Sequence, residues 1–492
     1  MSSNANGLSH NGPLRFVIVG GGMAGILAAV KLREAGFTDI TIYEKADRLG
    51  GTWRENTYPG VACDVPSHLY SYSFAPNPQW SHVFSPGPEI LTYLEQVAKD
   101  FGVDKYVQFS SEVTRLVFDQ GRWHITTADG HQDSAEVVIA ATGVLHHPSY
   151  PAIDGLDRFA GPLFHTARWD HSVPLDGIRL GVIGTGSSAV QVTGEVVDIV
   201  GHYSLFQRTA QWVMPMSNPP IDTEKQAAYH ADPSLMSKLR ADLGTMFEDG
   251  FANAVVDADS PQVALLQQMC EANLDTVADP QLRERLRPDY RAACKRLIIS
   301  PNFYEAIQKP NAHLVTESIE QIEPEGVRTT DGTLHELDVV VLATGFRVDR
   351  FLRPIEVVGR HGQTLDDAWD PRPWGYLSIA VPGYPNLFML NGPNGPVGNF
   401  SLIDVAELQM GYILQLIGQL AGGGCREIAP RPEAALHFEE ERTAAAGHTV
   451  WVTGCHSWYL DDRGVPAVWP WTFTRFRQVM ARPDLQDYEL AG

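Results

Sequence analysis

The chain of 492 residues contains few cysteines and few basic residues. Its five cysteines are Cys63, Cys270, Cys294, Cys425 and Cys455, and none of them forms a C-x-x-C pair. This spacing argues against a zinc ribbon and against a dithiol redox centre, and no metal site is predicted. Since the cysteines are scattered and odd in number, the simplest interpretation is a chain with reduced thiols, as in the cytoplasm.

Lysine and arginine together number 37, against 59 aspartate and glutamate residues, which gives a net charge of −22. Nucleic acids and anionic membranes are bound through basic surfaces, so neither is expected as a partner. Long apolar runs are also lacking, because glycines interrupt the segment 16–30, and no membrane span or signal peptide is predicted. We therefore expect a cytoplasmic globular protein of two or three domains, either a monomer or a homodimer.

Two glycine-rich turns are the most informative features of the sequence, and each follows an apolar run that predicts a parallel strand. In a dinucleotide-binding turn, the first glycine permits a tight bend and the second lets the backbone approach a pyrophosphate. The third small residue lets the helix pack closely against the strand. These positions are Gly20, Gly22 and Gly25 in the first turn, and Gly184, Gly186 and Ala189 in the second, which also contains Ser187 and Ser188. Two such turns predict two nucleotides, one of which passes electrons to the other.

The segment after the first turn predicts an FAD site. Glu44 follows a second predicted strand, 40–43, and lies 19 positions after Gly25. A dinucleotide fold places at this distance the acid that binds the ribose hydroxyls. A further glycine pair, Gly50-Gly51, follows the acid, as in flavoproteins with two dinucleotide sites, where the chain passes near the FAD pyrophosphate. The residues expected at this crossing are Gly51, Thr52 and Trp53.

The second turn predicts an NADPH site, because no acid follows it at the matching distance. The next predicted strand, 203–206, leads instead into Gln207-Arg208-Thr209. An arginine in place of the acid favours the 2′-phosphate of NADP over the free ribose of NAD. Lys295 is a second candidate partner for this phosphate. The alternative is that Arg208 merely caps the end of a strand.

The segment between the two predicted sites carries a motif of order F-x-G-x-x-x-H-x-x-x-W-D. Its residues are Phe159, Gly161, His165, Trp169 and Asp170. By spacing alone this is a linker with a structural histidine. The order resembles the fingerprint of type I Baeyer–Villiger monooxygenases, which are class B flavoprotein monooxygenases. The related N- and S-oxygenating enzymes usually carry Phe or Tyr at the position of Trp169.

A second motif of that family, G-G-x-W-x-x-x-x-Y-P-G-x-x-x-D, is complete from Gly50 to Asp64. The resemblance covers nearly the whole chain, including 294–297, 343–346 and 457–461. It implies an enzyme that uses NADPH and O2 to insert oxygen next to a ketone carbonyl, giving an ester or a lactone through a C4a-peroxyflavin. Sulfoxidation is the expected side activity, and an N- or S-oxygenating flavin monooxygenase is the alternative.

The resemblance also assigns roles to individual residues. Arg296 would be the fixed cation beside the flavin peroxide, and Asp64 would orient and moderate it. The alternative for this pair is an ion pair that holds two domains together. Tyr70 would contact the flavin, and Trp451 would lie in a C-terminal loop over the nicotinamide. His165 would not carry protons but would couple the two nucleotide domains.

The expected fold is α/β, with two doubly wound dinucleotide-binding (Rossmann-like) domains and a helical insertion, as in flavoproteins with two dinucleotide sites. Residues 1–14 are predicted to be disordered. The FAD domain is predicted at 15–148 and 336–492, and the NADPH domain at 149–215 and 291–335. The helical insertion is predicted at 216–290, with helices at 236–248 and 260–277.

Overall fold

The structure is a computed structural model that describes residues 14–398 and 400–492. The segment predicted to be disordered therefore lies outside the described residues except for Leu14. In these two ranges, no helix has both the length and the apolar composition needed to cross a membrane.

The chain alternates short strands with helices. The strands are β1 (Phe16–Val19), β2 (Ile40–Tyr43), β3 (Val107–Gln108), β4 (Val113–Asp119), β5 (Arg122–Thr127), β6 (Gln132–Ala135), β7 (Val137–Ala140), β8 (Leu163–His165), β9 (Arg179–Ile183), β10 (His202–Phe206), β11 (Val213–Met214), β12 (Ile298–Ile299), β13 (Ala312–Val315), β14 (Ile319–Glu323), β15 (Gly326–Thr329), β16 (Leu334–Glu336), β17 (Val339–Leu342), β18 (Glu356–Val358), β19 (Leu387–Met389), β20 (Glu427–Pro430) and β21 (Tyr488–Ala491).

The helices are α1 (Met23–Glu34), α2 (Thr52–Glu55), α3 (Gly87–Asp100), α4 (Ser187–Val196), α5 (Thr223–Ala231), α6 (Ser234–Phe247), α7 (Pro261–Leu274), α8 (Pro280–Arg285), α9 (Phe303–Ala306), α10 (Leu365–Ala368), α11 (Leu402–Ala421), α12 (Pro432–Ala446) and α13 (Phe473–Ala481).

The first nucleotide fold is built on a parallel sheet of five strands in the order β19-β7-β1-β2-β3. Phe16 and Ile18 of β1 pack into a core formed with helices α1, α3 and α11. Val17 and Val19 point to the opposite face, where they pack against the sheet β18-β4-β5-β6. Because both faces are covered, the strand is apolar throughout, and this is why its sequence is a continuous apolar run.

The second nucleotide fold is a parallel sheet of five strands in the order β13-β10-β9-β17-β8. Strand β17 pairs with β9 along its whole length, from Val339 opposite Leu180 to Leu342 opposite Ile183. The sequence-based division had assigned residues 336–342 to the FAD domain, and for this strand the division is wrong. An apolar run shows that a strand is buried but not which sheet it joins, so the boundary moves to the end of β17.

The segment between the two parts of the second fold is helical, with α5 to α8. The two helices predicted there correspond to α6 and α7 and differ by at most three residues at each end. Helix α6 continues into a π-helical turn, Glu248–Ala252. Arg240 of α6 binds Asp404 of α11, which fastens this helical segment to the first fold.

The chain crosses between the two folds at two adjacent places. On leaving β7 it runs through 143–150, and on leaving β17 it returns through 343–350. The two crossings are hydrogen-bonded to each other, because Ser149 N donates to Gly345 O (2.8 Å) and Arg347 N donates to His147 O (2.9 Å). The Thr344 hydroxyl also donates to Ser149 O, at 2.5 Å. We call this pair of segments the double crossing.

Candidate active site

The two glycine turns share one construction. Gly20 has a φ of +105°, and a Cβ there would lie 2.6 Å from the carbonyl oxygen of Ala141. Gly184 has a φ of +118°, and a Cβ there would lie 2.3 Å from the carbonyl oxygen of Ala343. In each fold, therefore, the chain leaving a neighbouring strand presses on the first glycine, and any side chain would collide with backbone.

In the part of the chain that the structure describes, the N-terminal N–H groups of the two helices that follow the glycine turns are not bound by side-chain caps. Within the described chain, no side chain caps α1 after Gly22 or α4 after Gly186. In contrast, Asp222, Ser260 and Asp279 cap α5, α7 and α8. Uncapped N–H groups at the positive end of a helix dipole suit an anion such as a pyrophosphate. Both turns therefore fit a dinucleotide.

Glu44 lies directly at the first turn and is buried. Its carboxylate accepts hydrogen bonds from the backbone N–H of Gly21 (2.7 Å) and of Ala46 (2.9 Å). Arg54, a residue that the sequence analysis did not single out, also donates to it at 3.0 Å. The acid is thus held at the position where a dinucleotide fold binds ribose.

The second glycine pair runs alongside the first turn. Gly50 N donates to Gly21 O at 3.1 Å, and Thr52 begins the short helix α2 immediately after Gly51. The indole of Trp53 donates to the hydroxyl of Tyr70 at 3.2 Å. Burial raises the pKa of Tyr70, so it stays a neutral phenol at physiological pH.

The Y-P-G part of the second motif joins the two folds. The hydroxyl of Tyr58 donates to the Gln191 side chain on α4 at 2.8 Å, and the Gln191 amide donates to Ala62 O at 3.1 Å. Gly60, with a φ of +80°, lies so close that a Cβ would be 2.7 Å from Gln191 O. This contact sets the position of the following residues, including Asp64, against the second fold.

Asp64 and Arg296 form an ion pair across the boundary of the two folds. Arg296 donates through Nε (3.1 Å) and Nη2 (2.5 Å) to the same oxygen, Oδ2. The two side chains are 33 % and 26 % exposed, so the pair is partly open to its surroundings. The charge of Asp64 raises the pKa of Arg296 further above its usual value, and the guanidinium therefore stays charged.

Tyr459, from the C-terminal part of the chain, is a third member of this site. It is buried, and burial raises the pKa of its phenol. The guanidinium of Arg296 acts in the opposite direction on that pKa, as a neighbouring positive charge does. From the sequence, Tyr459 could be placed only within the segment 457–461 of the family resemblance, without a role of its own.

The structure brings the two candidate phosphate partners together. Arg208 is exposed just beyond β10, next to Thr209, whose carbonyl accepts from the Thr185 hydroxyl at 2.7 Å. The Lys295 ammonium lies 4.7 Å from the centre of the Tyr290 ring. Burial lowers the pKa of Lys295; the carboxylate of Asp289 acts against this shift, and the charge of Arg208 lowers the pKa further. Arg208 and Lys295, from distant parts of the chain, are thus close enough for the charge of one to act on the other.

The linker motif makes contacts in the second fold and the double crossing, and it also reaches the first part of the chain. Trp169 shares a buried cluster with Tyr58, and Arg168 pairs with Glu55 at 2.7 Å. The buried His165 accepts a hydrogen bond from Ala167 N at Nδ1 (3.0 Å), and burial lowers its pKa to about 4. It is therefore neutral at physiological pH, as a structural histidine is. Trp169 packs edge-on against Phe164 at 5.2 Å.

Three further motif residues also have structural contacts. A Cβ on Gly161 would meet the carbonyl oxygen of Asp338 at 2.3 Å, and Phe159 packs at the edge of the core around β14 and β15. Asp170 accepts hydrogen bonds from the backbone and hydroxyl of Ser172. The motif therefore fixes the linker in place, and none of these contacts reaches Arg296.

Two of the five cysteines form a disulfide, Cys294–Cys455, with their Cα atoms 6.1 Å apart. The expectation of reduced thiols is wrong for this pair. The bonded cysteines are 161 positions apart in sequence, so local spacing could not indicate that the fold brings them together. Cys63, Cys270 and Cys425 are free and buried. Trp451, predicted to lie over the nicotinamide, is buried, with its carbonyl oxygen 3.7 Å from Cys294 Sγ.

The similarity to known proteins is extensive. The model of the flavin-binding monooxygenase-like family matches residues 14–355. The chain belongs to this family. A Baeyer–Villiger monooxygenase of Streptomyces coelicolor is 40 % identical to it over 483 residues, which cover 97 % of this chain and 92 % of that protein. An uncharacterized monooxygenase of Mycobacterium tuberculosis is 46 % identical over 473 residues, 96 % of this chain and 95 % of that protein.

Solved structures agree with this flavin-binding monooxygenase along almost its whole length. The cyclohexanone monooxygenase of Rhodococcus sp. Phi1 bound to NADP+ superposes with a TM-score of 0.87 at 30 % identity, covering 98 % of this chain and 100 % of that one. A steroid monooxygenase bound to NADP gives a TM-score of 0.87 at 31 % identity with the same coverage. The predicted α/β fold with two dinucleotide folds and the predicted flavin monooxygenase function are confirmed. A flavin and NADP are supported as cofactors.

Proposed function

We propose that this flavin-binding monooxygenase is an FAD-containing, NADPH- and O2-dependent Baeyer–Villiger monooxygenase that converts a small-molecule ketone into an ester or a lactone. The observation that carries the proposal is the Arg296–Asp64 pair, which joins two folds that each have a dinucleotide turn. Relatives described as Baeyer–Villiger monooxygenases support it at 34 % to 40 % identity.

FAD is the proposed occupant of the first turn and NADPH that of the second. The first turn has the buried acid Glu44 for ribose hydroxyls, whereas the second has Arg208 and Lys295 for a 2′-phosphate. Neighbouring structures bound to NADP support the second assignment. Bound and reduced, FAD supplies the chemistry that activates O2 for transfer to the ketone.

The proposed role of Arg296 is to stabilise the negative charge that develops on oxygen while the substrate reacts. An arginine suits this role because it does not give up its proton, and Asp64 raises its pKa still further. Asp64 binds Nε and Nη2 through one oxygen, which fixes the orientation of the guanidinium. The partial exposure of both side chains leaves the guanidinium accessible to a reacting group.

The test is product analysis after incubation with a panel of cyclic and linear ketones, NADPH and O2. Wild-type protein should form esters or lactones detectable by mass spectrometry. Arg296→Ala should still bind flavin and oxidise NADPH but should form product about 10²–10³-fold more slowly, by comparison with the loss of one oxyanion-hole donor.

Arg115→Ala is the matched control for this test, since Arg115 is an exposed arginine of β4 paired with Glu356. It removes a positive charge from the first fold without touching the site, and it should form product as the wild type does. Oxygenation of methyl phenyl sulfide without any ketone oxidation in the wild type would contradict the proposal and indicate the S-oxygenating alternative.

A further inference from the structure

The Cys294–Cys455 disulfide joins the two segments that bear the groups around Arg296. Cys294 lies two residues before Arg296, in the segment between α8 and β12. Cys455 lies four residues before Tyr459, in the loop between α12 and α13. The bond therefore links the segment that bears Arg296 of the proposed active site to the loop that bears Tyr459.

The part of that loop around Cys455 is held mainly by this bond. In the segment 452–458, the residues other than Cys455 are exposed or half-exposed, and Trp458 is 40 % exposed. The hydrogen bonds in this segment are local, such as that from Thr453 N to Val450 O. Cys455, at 6 % exposure, is thus the one buried residue of the segment 452–458, which is otherwise exposed or half-exposed and contains no strand.

The two ends of the loop have separate attachments. At its start, Val450 N donates to Val255 O of the helical segment, at 3.0 Å. Beyond Tyr459, Asp461 binds Arg463 at 2.8 Å and Arg372 at 3.3 Å. Reduction of the disulfide would therefore free the middle of the loop while both ends stayed attached, so the native structure would open locally at this segment without unfolding.

We propose, building on the proposed function, that Cys294 and Cys455 are positioning residues whose disulfide holds the loop segment 452–458 against the segment that bears Arg296. In the oxidised form, NADPH oxidation is coupled to product formation. In the reduced form, the loop opens to water and the coupling is lost. The monooxygenase is thereby sensitive to thiols at a position distinct from its nucleotide turns.

The chemical step is thiol–disulfide exchange with a small dithiol. One thiolate of the dithiol attacks a sulfur of the Cys294–Cys455 bond, forms a mixed disulfide and releases the other cysteine as a thiolate, which takes up a proton. The second thiol of the reagent, as a thiolate, then attacks the reagent's own sulfur in the mixed disulfide. The remaining cysteine leaves as a thiolate and takes up a proton. The reagent is oxidised to a cyclic disulfide, and the protein pair gains two electrons and two protons. After removal of the dithiol, glutathione disulfide reoxidises the two cysteines to the disulfide and is itself reduced to two molecules of glutathione.

The experiment compares wild-type holoenzyme before and after dithiothreitol treatment with the variants Cys455→Ser and Cys425→Ser. Cys425 is a free, buried cysteine between α11 and β20 and serves as the matched control. Denatured wild-type protein should show three reactive thiols before reduction and five afterwards. Five thiols in protein purified without a reductant would overturn the proposal.

The first functional readout is the amount of ester formed per NADPH oxidised. Reduced wild type and Cys455→Ser should keep their NADPH oxidation rate but lose about tenfold in ester per NADPH, with hydrogen peroxide accounting for the difference. Glutathione disulfide should restore the wild type but not Cys455→Ser. If the bond is merely structural, its loss would lower the rates of NADPH oxidation and of ester formation together, or would change neither. Either result overturns the proposal.

The second readout is limited proteolysis of the segment 452–458, which needs no turnover. Cleavage there should be faster in reduced wild type and in Cys455→Ser than in oxidised wild type or Cys425→Ser. If oxidised wild type forms no ester from any ketone, the proposed function fails, and proteolysis still decides on the loop. Equal cleavage in all four samples would overturn the positioning role even when ester is formed.

Discussion

The preference for NADPH over NADH should depend on two cations, Arg208 and Lys295. Arg208 is exposed, and a hydrogen bond from a charged group contributes about 1.5–3 kcal/mol, so we take the lower end for it. Arg208→Ala should then lower kcat/KM for NADPH about tenfold, since 1.36 kcal/mol corresponds to a factor of ten. Kinetics with NADH, which has no 2′-phosphate, should change little.

Lys295→Ala should have a larger effect than Arg208→Ala. Burial lowers the pKa of Lys295; the carboxylate of Asp289 acts in the opposite direction, and the charge of Arg208 lowers it further. The net shift is downwards, so the charge of Lys295 is held in a less favourable environment that a phosphate dianion would relieve. We expect a loss of about 2–3 kcal/mol, or roughly 30–160-fold in kcat/KM for NADPH. The double variant should approach the NADH value of the wild type.

The assay is the steady-state oxidation of NADPH and of NADH with one ketone at a fixed concentration, at low and at high salt. Arg115→Ala should behave as the wild type with both coenzymes, because Arg115 lies in the first fold and is exposed. Equal losses with NADPH and NADH would refute the reasoning, because the two cations would then act on a part common to both coenzymes. No loss with NADPH would show that another group binds the phosphate.

Three further variants test the packing, the buried histidine and the cross-link. Gly60→Ala should destabilise the fold by about 1–3 kcal/mol and so lower its melting temperature, because the new Cβ meets Gln191 O. Gly130→Ala is its control, since Gly130 has a similar φ but open space around it. An equal loss of stability in both variants would mean that backbone strain, and not the contact with Gln191, causes the loss. The pKa of His165 is lowered from 6.5 to about 4 in the folded state. The stability linked to the neutral imidazole is therefore fully present above pH 6.5, and it is lost as the pH falls through 4. His165→Gln should therefore lose less melting temperature than wild type between pH 7 and pH 4.5, and parallel curves would contradict this. Cys455→Ser removes a cross-link between residues 161 positions apart, which costs at most about 5 kcal/mol by loop entropy, and dithiothreitol should lower the melting temperature of the wild type but not of the variant.

Strands and turns could be predicted from the sequence because their signals are local. The apolar run Phe16–Val19 is buried on both faces of its sheet, and its glycine turn follows at once, so neighbouring residues carry the whole pattern. The same holds for the second turn. The pairing of β17 with the second sheet was predicted wrongly, because a continuous apolar run is compatible with either sheet.

The site required more than local patterns. Arg296 and Asp64 are far apart in sequence, and only the family resemblance indicated that they meet. The Cys294–Cys455 bond was missed for the same reason, since each cysteine has no partner nearby in the chain. Gln191, which binds Tyr58, lies on an ordinary helical stretch, and nothing in the sequence distinguishes it from other polar helix residues.

The double crossing limits how the two nucleotide folds can move. A single connecting strand would allow one fold to bend and also to swivel about the strand. The two segments of the double crossing are hydrogen-bonded side by side, through Ser149 and Gly345. Such a pair resists rotation of one fold about the connection and bends most readily about one axis, across the pair. The flavin and the nicotinamide would therefore approach and separate along one reproducible arc, which returns the two reacting rings to the same relative orientation in every catalytic cycle.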